Sequence, residues 1–445
     1  MIFTQFVDED LGCASYLVGD ERTGTAVVVD PAFAIEQYLE EADTRSVRVV
    51  RTVETHTHAD HVSGHGRLAL EHGVPVSIHP AAGAEYPHDP FEDGAEIVLG
   101  DVVLRCVHAP GHRPEHCAIT VIDGSRAPEP WLVLTGDSLF VGDAARPDLA
   151  VDAREGAEAL FHSLRRLLEL GDGVETYPGH VAGSLCGKAM SSKASTTIGF
   201  ERRFNPAFAT DDVATFVTET ASVSAPKPPN VERIVELNRG SFVGAQPFPQ
   251  ALAHAPEDAQ VLDVRPIASF AAGHLQGAIS VPVSGTRFST KAGFALDLER
   301  PVVIAATNEA EIAHAVKGLQ AIAVFDLSGF VDGAGPEELE LVSIDELDGL
   351  LDAGAELIDV REKDERDAGY IAGSRNIPYR LLAFRAQDLP RDRPLVTICE
   401  SGPRAVIGAS VLAARGLDAR AVSGAGVDDW AESGRPTVEF RRCGA

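Results

Sequence analysis

The chain has 445 residues, 44% of them hydrophobic and 24% charged, with a formal net charge of -29. That length exceeds one ordinary domain, and the composition is that of a globular protein with several cores. So acidic a balance speaks against nucleic-acid binding and against docking on an anionic membrane, both of which need clustered Lys and Arg. A small anion would need a local basic pocket.

The opening MIFTQFVDEDLGC has neither a basic n-region nor a long apolar run. No stretch of about 18 uninterrupted apolar residues follows, so neither a secretory signal nor a membrane span is expected. Cys13, Cys106, Cys117, Cys186, Cys399 and Cys443 lack the paired spacing of a zinc ribbon or a disulfide framework. A reducing, cytoplasmic location is the expectation.

Short apolar strands are predicted at Thr25–Val29, Val102–Val107 and Trp131–Leu134. A helix is predicted at Gly156–Leu170, where apolar residues recur at three- and four-residue steps. The class is α/β. Between these elements lies THTHADHVSGH, starting at Thr55 and following the strand-like RVVRTVE. His56, His58, Asp60 and His61 fall within six residues of a predicted turn, and imidazole and carboxylate are the usual ligands of borderline metals. His112 in APGHRPEH, Asp137 in LTGDSLF and His180 in YPGHVAGS each end an apolar run in a Gly-containing loop.

SVSAPKPPNVER at 222–233 reads as a surface crossing or linker. Beyond it the chain repeats: LDVRPIASFAAGHLQGAISVP starts at Leu262 and IDVREKDERDAGYIAGSRNIP at Ile358. Asp263 matches Asp359, Gly277 matches Gly373 and Pro282 matches Pro378, each offset by 96. Two copies read as tandem modules rather than a solenoid. The expected organisation is therefore 1–240, 241–335 and 336–445. In the second copy the apolar LVTIC ends on Cys399, followed by a Gly-containing loop, Arg404 and a helical run. Aligning ERPVVIAATNEAE with DRPLVTICESGPR puts Ala306 opposite Cys399 and Glu311 opposite Arg404. The first copy is thus expected to be non-catalytic.

The order HxHxDH, His, Asp, His over residues 1–240 resembles the metallo-β-lactamase superfamily. That resemblance implies an αβ/βα sandwich with metal at its edge, followed here by two rhodanese-like α/β domains. A thioester hydrolase of the glyoxalase II type would hold two zinc ions, one on His56, His58 and His112 and one on Asp60, His61 and His180, bridged by Asp137. The persulfide dioxygenase branch implies one Fe(II) on His56, His112 and Asp137, with His58, Asp60, His61 and His180 around it. Its reaction takes a low-molecular-weight thiol persulfide and O2 to thiol and sulfite.

SLFVGDAARPDLA after Asp137 resembles the dioxygenase segment, in which an Arg follows the metal Asp by nine positions, here Arg146. In that family this Arg contacts the thiol carrier together with a Tyr, here Tyr177, and Lys188 in GHVAGSLCGKAM is a further candidate. Ala145 in place of Gly and Arg113 in place of a small hydroxyl residue depart from the pattern. The Cys399 loop resembles rhodanese, where backbone N–H groups at a helix N-terminus stabilise a thiolate and its persulfide. This implies sulfur exchange with thiosulfate or sulfite, and the family resemblance implies a homo-oligomer.

Overall fold

The computed structural model describes residues 1–181, 190–222 and 226–439. The chain forms two compact units, Met1–Gln246 with Gln320–Ala323, and Pro247–Leu319 with Val324–Ala445. No helix among the described residues is long and apolar enough to cross a membrane.

The first unit is built on two six-stranded sheets. One runs in the order β1 (Ile2–Asp8), β2 (Cys13–Asp20), β3 (Thr25–Val29), β4 (Arg48–Val53), β5 (Val76–Ile78), β6 (Asp89–Pro90). It is antiparallel from β1 to β3 and parallel from β3 to β6. The other contains β7 (Glu96–Leu99), β8 (Val102–His108), β9 (Cys117–Asp123) and β10 (Leu132–Gly136). Among the described residues the short strands β11 (Leu139–Phe140) and β12 (Asp143–Ala144) pair only with each other. Beyond β10 lie β13 (Glu175–Pro178) and β14 (Thr196–Thr197), so the second sheet reads β14-β13-β10-β9-β8-β7.

The period of two in a strand explains the layering. Tyr16 and Val18 of β2, Val27 and Val29 of β3, Leu104 of β8, Ile119 of β9 and Leu134 of β10 all enter one core between the sheets. Their neighbours in sequence point the other way. Leu17, Ala26 and Val28 pack with Ile35, Tyr38 and Leu68 of the helical segments covering the first sheet. Val107, Ala118 and Val133 pack with Leu160, Leu164 and Leu167 of the helix Ala153–Leu168 on the second. Both faces of both sheets are covered, which is the αβ/βα sandwich. It also explains why β2 and β9 are buried throughout rather than alternately.

The second unit contains the repeat as two parallel sheets. Ile279–Ser280, Gln260–Asp263, Val302–Ala306 and Leu327–Asp332 lie in that order. Arg375–Asn376, Glu356–Asp359, Leu395–Ile398 and Ala419–Val422 lie in the same order, with Leu341–Val342 added outside. The DVR match is three-dimensional as well. Arg265 bonds Asp263 through Nε at 3.0 Å and Nη2 at 2.6 Å and reaches Gly273 O at 2.9 Å. Arg361 bonds Asp359 through Nε at 3.1 Å and Nη2 at 2.8 Å and reaches Gly369 O at 2.6 Å. Both pairs are buried, where a charge persists only with such a partner.

Candidate metal centre and cysteine loop

The His and Asp residues singled out in the first unit hang from strand ends of both sheets. His56, His58, Asp60 and His61 follow β4, His112 lies between β8 and β9, Asp137 follows β10 and His180 follows β13. Their supports come from neighbouring strand ends. Asp30, just after β3, has φ +50 and accepts both the Thr55 N–H and the Thr55 hydroxyl at 2.7 Å. With its proton given to Asp30, Thr55 Oγ1 accepts from His56 Nδ1 at 2.9 Å.

Carbonyl oxygens fix two further rings, since a carbonyl can only accept. His112 Nδ1 donates to Arg146 O at 3.2 Å, and His180 Nδ1 donates to Gly12 O at 3.1 Å. In all three histidines the lone pair is therefore on Nε2. Those three Nε2 atoms converge on one oxygen. His56, His112 and His180 stand 3.9, 3.6 and 3.1 Å from Asp137 Oδ2.

Burial holds His56 well below the ordinary histidine range, helped by the charge of His58, and burial also lowers His112. Both rings stay neutral, as ligands must. Burial would raise the Asp137 carboxyl, but a proton on His180, 3.1 Å away, would outweigh it and bring it down to about 2. Both Asp137 oxygens are buried and accept no hydrogen bond. A buried carboxylate facing three imidazole lone pairs is a donor set suited to a cation, so these residues fit a bound metal ion. Ligand atoms of His56, His112 and Asp137 lie within 4.8 Å of one another.

His58 turns away from that point. Its Nε2 is 3.2 Å from Asp30 Oδ1 and 3.1 Å from Glu54 Oε2, while its Nδ1 is buried without a partner. Burial opposes its charge, but those two carboxylates raise it well above the usual range. Asp60 and His61 form an adjacent group with Cys13. Cys13 Sγ is 3.1 Å from Asp60 Oδ2 and 3.6 Å from His61 Nδ1, and His180 Nε2 is 3.5 Å from Asp60 Oδ2.

Two of the three proposed carrier contacts have partners of their own among the described residues. Arg146 is buried, forms a two-toothed pair with Asp148 at 2.7 and 2.8 Å, and donates to Pro226 O at 2.8 Å. Tyr177 packs its ring on Phe3 at 4.7 Å and Tyr16 at 6.1 Å and donates its hydroxyl to Glu175 at 3.0 Å. Its contacts belong to the inter-sheet core. Arg113 is buried and bonded to Glu115 at 2.7 Å. Lys188 lies outside the described residues.

Several residues that support this centre went unmarked in the sequence. His116, four residues past His112, donates Nδ1–H to Ala109 O at 3.0 Å and accepts the Asp137 N–H at 2.9 Å. Burial lowers it to about 4, so it remains a neutral acceptor that anchors the Asp137 backbone. The PEH tripeptide next to a marked histidine was the available signal. Asp30, Glu54, Thr55 and Cys13 gave none beyond being polar or thiol groups at strand ends.

In the second unit Cys399 is buried at the end of the strand Leu395–Ile398 and accepts the Gly402 N–H at 3.1 Å. The helix Pro403–Ala413 begins immediately after. Gly402 has φ +106, and a Cβ there would meet Gly424 N at 2.9 Å, so the loop curls over the sulfur only with glycine. Arg404 donates to Glu365 at 2.7 and 2.8 Å and to Glu400 at 3.4 Å. In the other copy Ala306 ends the equivalent strand. There Glu311 folds back and accepts the Thr307 N–H at 2.7 Å, so the loop is already bonded to a carboxylate of its own.

Helix-flanked sheets with a His/Asp cluster at their shared edge define the metallo-β-lactamase class of metal-centre proteins. Residues 8–180 match the metallo-beta-lactamase superfamily, and residues 343–433 match the rhodanese-like domain. An uncharacterized protein of Mycobacterium tuberculosis is 31% identical over 233 residues, 46% of this chain and 97% of that one. The mitochondrial persulfide dioxygenase ETHE1 of Bos taurus is 30% identical over 227 residues, 50% of this chain and 82% of that one. The crystal structure of a metallo-beta-lactamase from Staphylococcus aureus has a TM-score of 0.69 and 29% identity, covering 74% of this chain and 99% of that one. The chain belongs to the metallo-beta-lactamase superfamily, and it joins a domain similar to persulfide dioxygenase to a rhodanese-like C-terminal domain.

Proposed function

We propose that the first unit oxidises a low-molecular-weight thiol persulfide with O2, giving thiol and sulfite, and that Cys399 carries sulfane sulfur to or from that chemistry. The balance is RSS⁻ + O2 + H2O giving RSH, sulfite and one proton. The observation that carries the reading is the His56, His112 and Asp137 group in one chain with a sulfur-cradling cysteine loop. Two neutral imidazoles and one carboxylate leave coordination positions open, the arrangement of ferrous oxygenases. A ferrous ion held there supplies the electron exchange that direct reaction of O2 with sulfur lacks.

The protein's own part is positioning. Thr55 and the Arg146 carbonyl hold the His56 and His112 rings by their Nδ1 atoms, and His116 holds the Asp137 backbone. Asp60, His61 and His180 line the neighbouring space and accept or orient water. At the second centre the Gly402 N–H donates to the Cys399 sulfur, and the helix Pro403–Ala413 starts beside it. We also assign the three-part organisation with boundaries near 240 and 335 on the internal repeat.

A second reading, a dizinc thioester hydrolase with accessory rhodanese domains, is favoured by one feature. His180 Nε2 bridges the space between Asp137 and Asp60 at 3.1 and 3.5 Å, beside His61. Anaerobic reconstitution with Fe(II), then O2 uptake and sulfite assay on a thiol persulfide, distinguishes the two. About one iron per chain with O2-dependent sulfite supports the first. No O2 uptake, about two zinc ions and fast thioester cleavage overturn it. Cys399→Ala is expected to abolish sulfur transfer from thiosulfate.

A further inference from the structure

The cysteine-less module touches the live one beside its active loop. Its helix Phe288–Ala295 packs against the turn Tyr379–Leu381. Phe294 meets the Tyr379 ring edge-on, with centroids 6.1 Å apart. Tyr379 is buried, which raises its hydroxyl above the usual range, while the charges of Arg404, Arg287 and Arg380 pull against this and Glu362 adds to it. Arg404 in turn lies within the field of Cys399.

Three of these four charges are already matched. Arg404 is paired with Glu365 and Glu400, and Arg380 is paired with Glu362 at 2.9 Å. Arg287 is the exception. It is exposed, and its side chain has no hydrogen-bond or ion-pair partner among the described residues. Its backbone has φ +58, just before the first turn of the helix that faces Tyr379. A non-glycine residue in that region costs of order 1 kcal/mol, a strain found most often at functional sites.

A chain of net charge -29 repels a dianion, and Arg404 is neutralised by its two carboxylates. We propose that Arg287, supplied by the cysteine-less module, is the anion-binding residue that brings a sulfur oxyanion such as thiosulfate to the Cys399 loop. This rests on reading Cys399 as a sulfur-transfer cysteine. In the step it serves, the Cys399 thiolate attacks the outer sulfur of thiosulfate and forms a new S–S bond. The S–S bond of thiosulfate breaks, and sulfite leaves with that electron pair. Arg287 takes part in no bond change; it holds the oxyanion end.

The test is steady-state sulfur transfer from thiosulfate to cyanide by the full chain and its Arg287→Gly, Arg287→Glu and Arg287→Lys variants. Glycine removes the charge while relieving the backbone, so a misfolded protein is not the expected result, and thermal melting of each variant checks this. In Arg287→Gly the KM for thiosulfate is expected to rise about tenfold, equivalent to about 1.4 kcal/mol. It rises further in Arg287→Glu, stays close to the parent in Arg287→Lys, and kcat holds in all three. Added salt raises the parent KM toward that of the glycine variant. An unchanged KM in both the glycine and glutamate variants overturns the proposal. A parent with no thiosulfate activity overturns the rhodanese reading instead. Calorimetric titration of thiosulfate into parent and Arg287→Glu then judges Arg287 separately, and equal affinity, or none in either, refutes it.

Discussion

Thr55→Val deletes one hydroxyl and leaves shape and volume nearly unchanged. That hydroxyl donates to Asp30 at 2.7 Å and accepts from His56 Nδ1 at 2.9 Å, and every atom involved is buried. The variant strands a buried N–H on His56 and one oxygen of Asp30, while the Thr55 N–H still serves the other oxygen. Each stranded group costs about 1–3 kcal/mol, so a loss of about 2–6 kcal/mol in folding stability is expected. With its Nδ1 partner gone, His56 is also free to turn or to move its proton to Nε2. Losing such an outer partner lowers metal affinity by about 10- to 100-fold. Urea unfolding and chelator competition on the full chain read the two effects, and Thr55→Ser, which restores the hydroxyl, should recover both. If Thr55→Val keeps both metal affinity and stability at the parent level, the hydroxyl does not set the His56 tautomer.

Glu54 is buried, which would raise it, but His58 and His65 hold it at about 2 instead of 4.5. A depressed carboxyl stabilises the fold fully above the unfolded value and ceases to do so as pH falls toward the folded one. Glu54→Gln should therefore remove about 3 kcal/mol of acid-dependent stability between pH 4.5 and 2, seen as a shallower slope of unfolding free energy against pH. Gly136→Ala puts a Cβ 2.6 Å from His116 Nε2 and 2.8 Å from Thr55 Oγ1 at φ +47, so chelator competition should register weakened metal binding without any ligand being touched. Asp359→Ala leaves Arg361 buried and unpaired, with an expected loss of about 3–5 kcal/mol by urea unfolding. Leu160→Ala opens the core under the helix Ala153–Leu168 and should cost about 2–5 kcal/mol in the same assay.

Much of this architecture is legible in one sequence. Thr25–Val29 forms a strand with the predicted bounds, Val102–Val107 one residue short of the strand found, and the predicted helix at Gly156–Leu170 is Ala153–Leu168. These segments are legible because strand and helix periods are local properties of the side chains. His56, His112 and Asp137 could be grouped because a motif preserves order, and order at strand ends becomes proximity once two sheets close. What order does not carry is direction. Nothing in the spacing says that His58 faces Asp30 and Glu54, or that Tyr177 packs on Phe3. Nor does spacing reveal that Arg146 is closed off by Asp148, a residue only two places on, because the clamp depends on a turn geometry set elsewhere.

Glu311 bears on the history of the duplicated module. Its carboxylate already satisfies the Thr307 N–H in the loop where the sister copy keeps its sulfur. A single Ala306→Cys change would therefore place a thiol in a niche where a loop N–H is already bonded to a carboxylate, whose charge opposes the thiol's ionisation. Replacing Glu311 alone would empty the niche with nothing to put in it. A sulfur site in the first copy would thus need both changes together, which leaves that module's surface open to other roles.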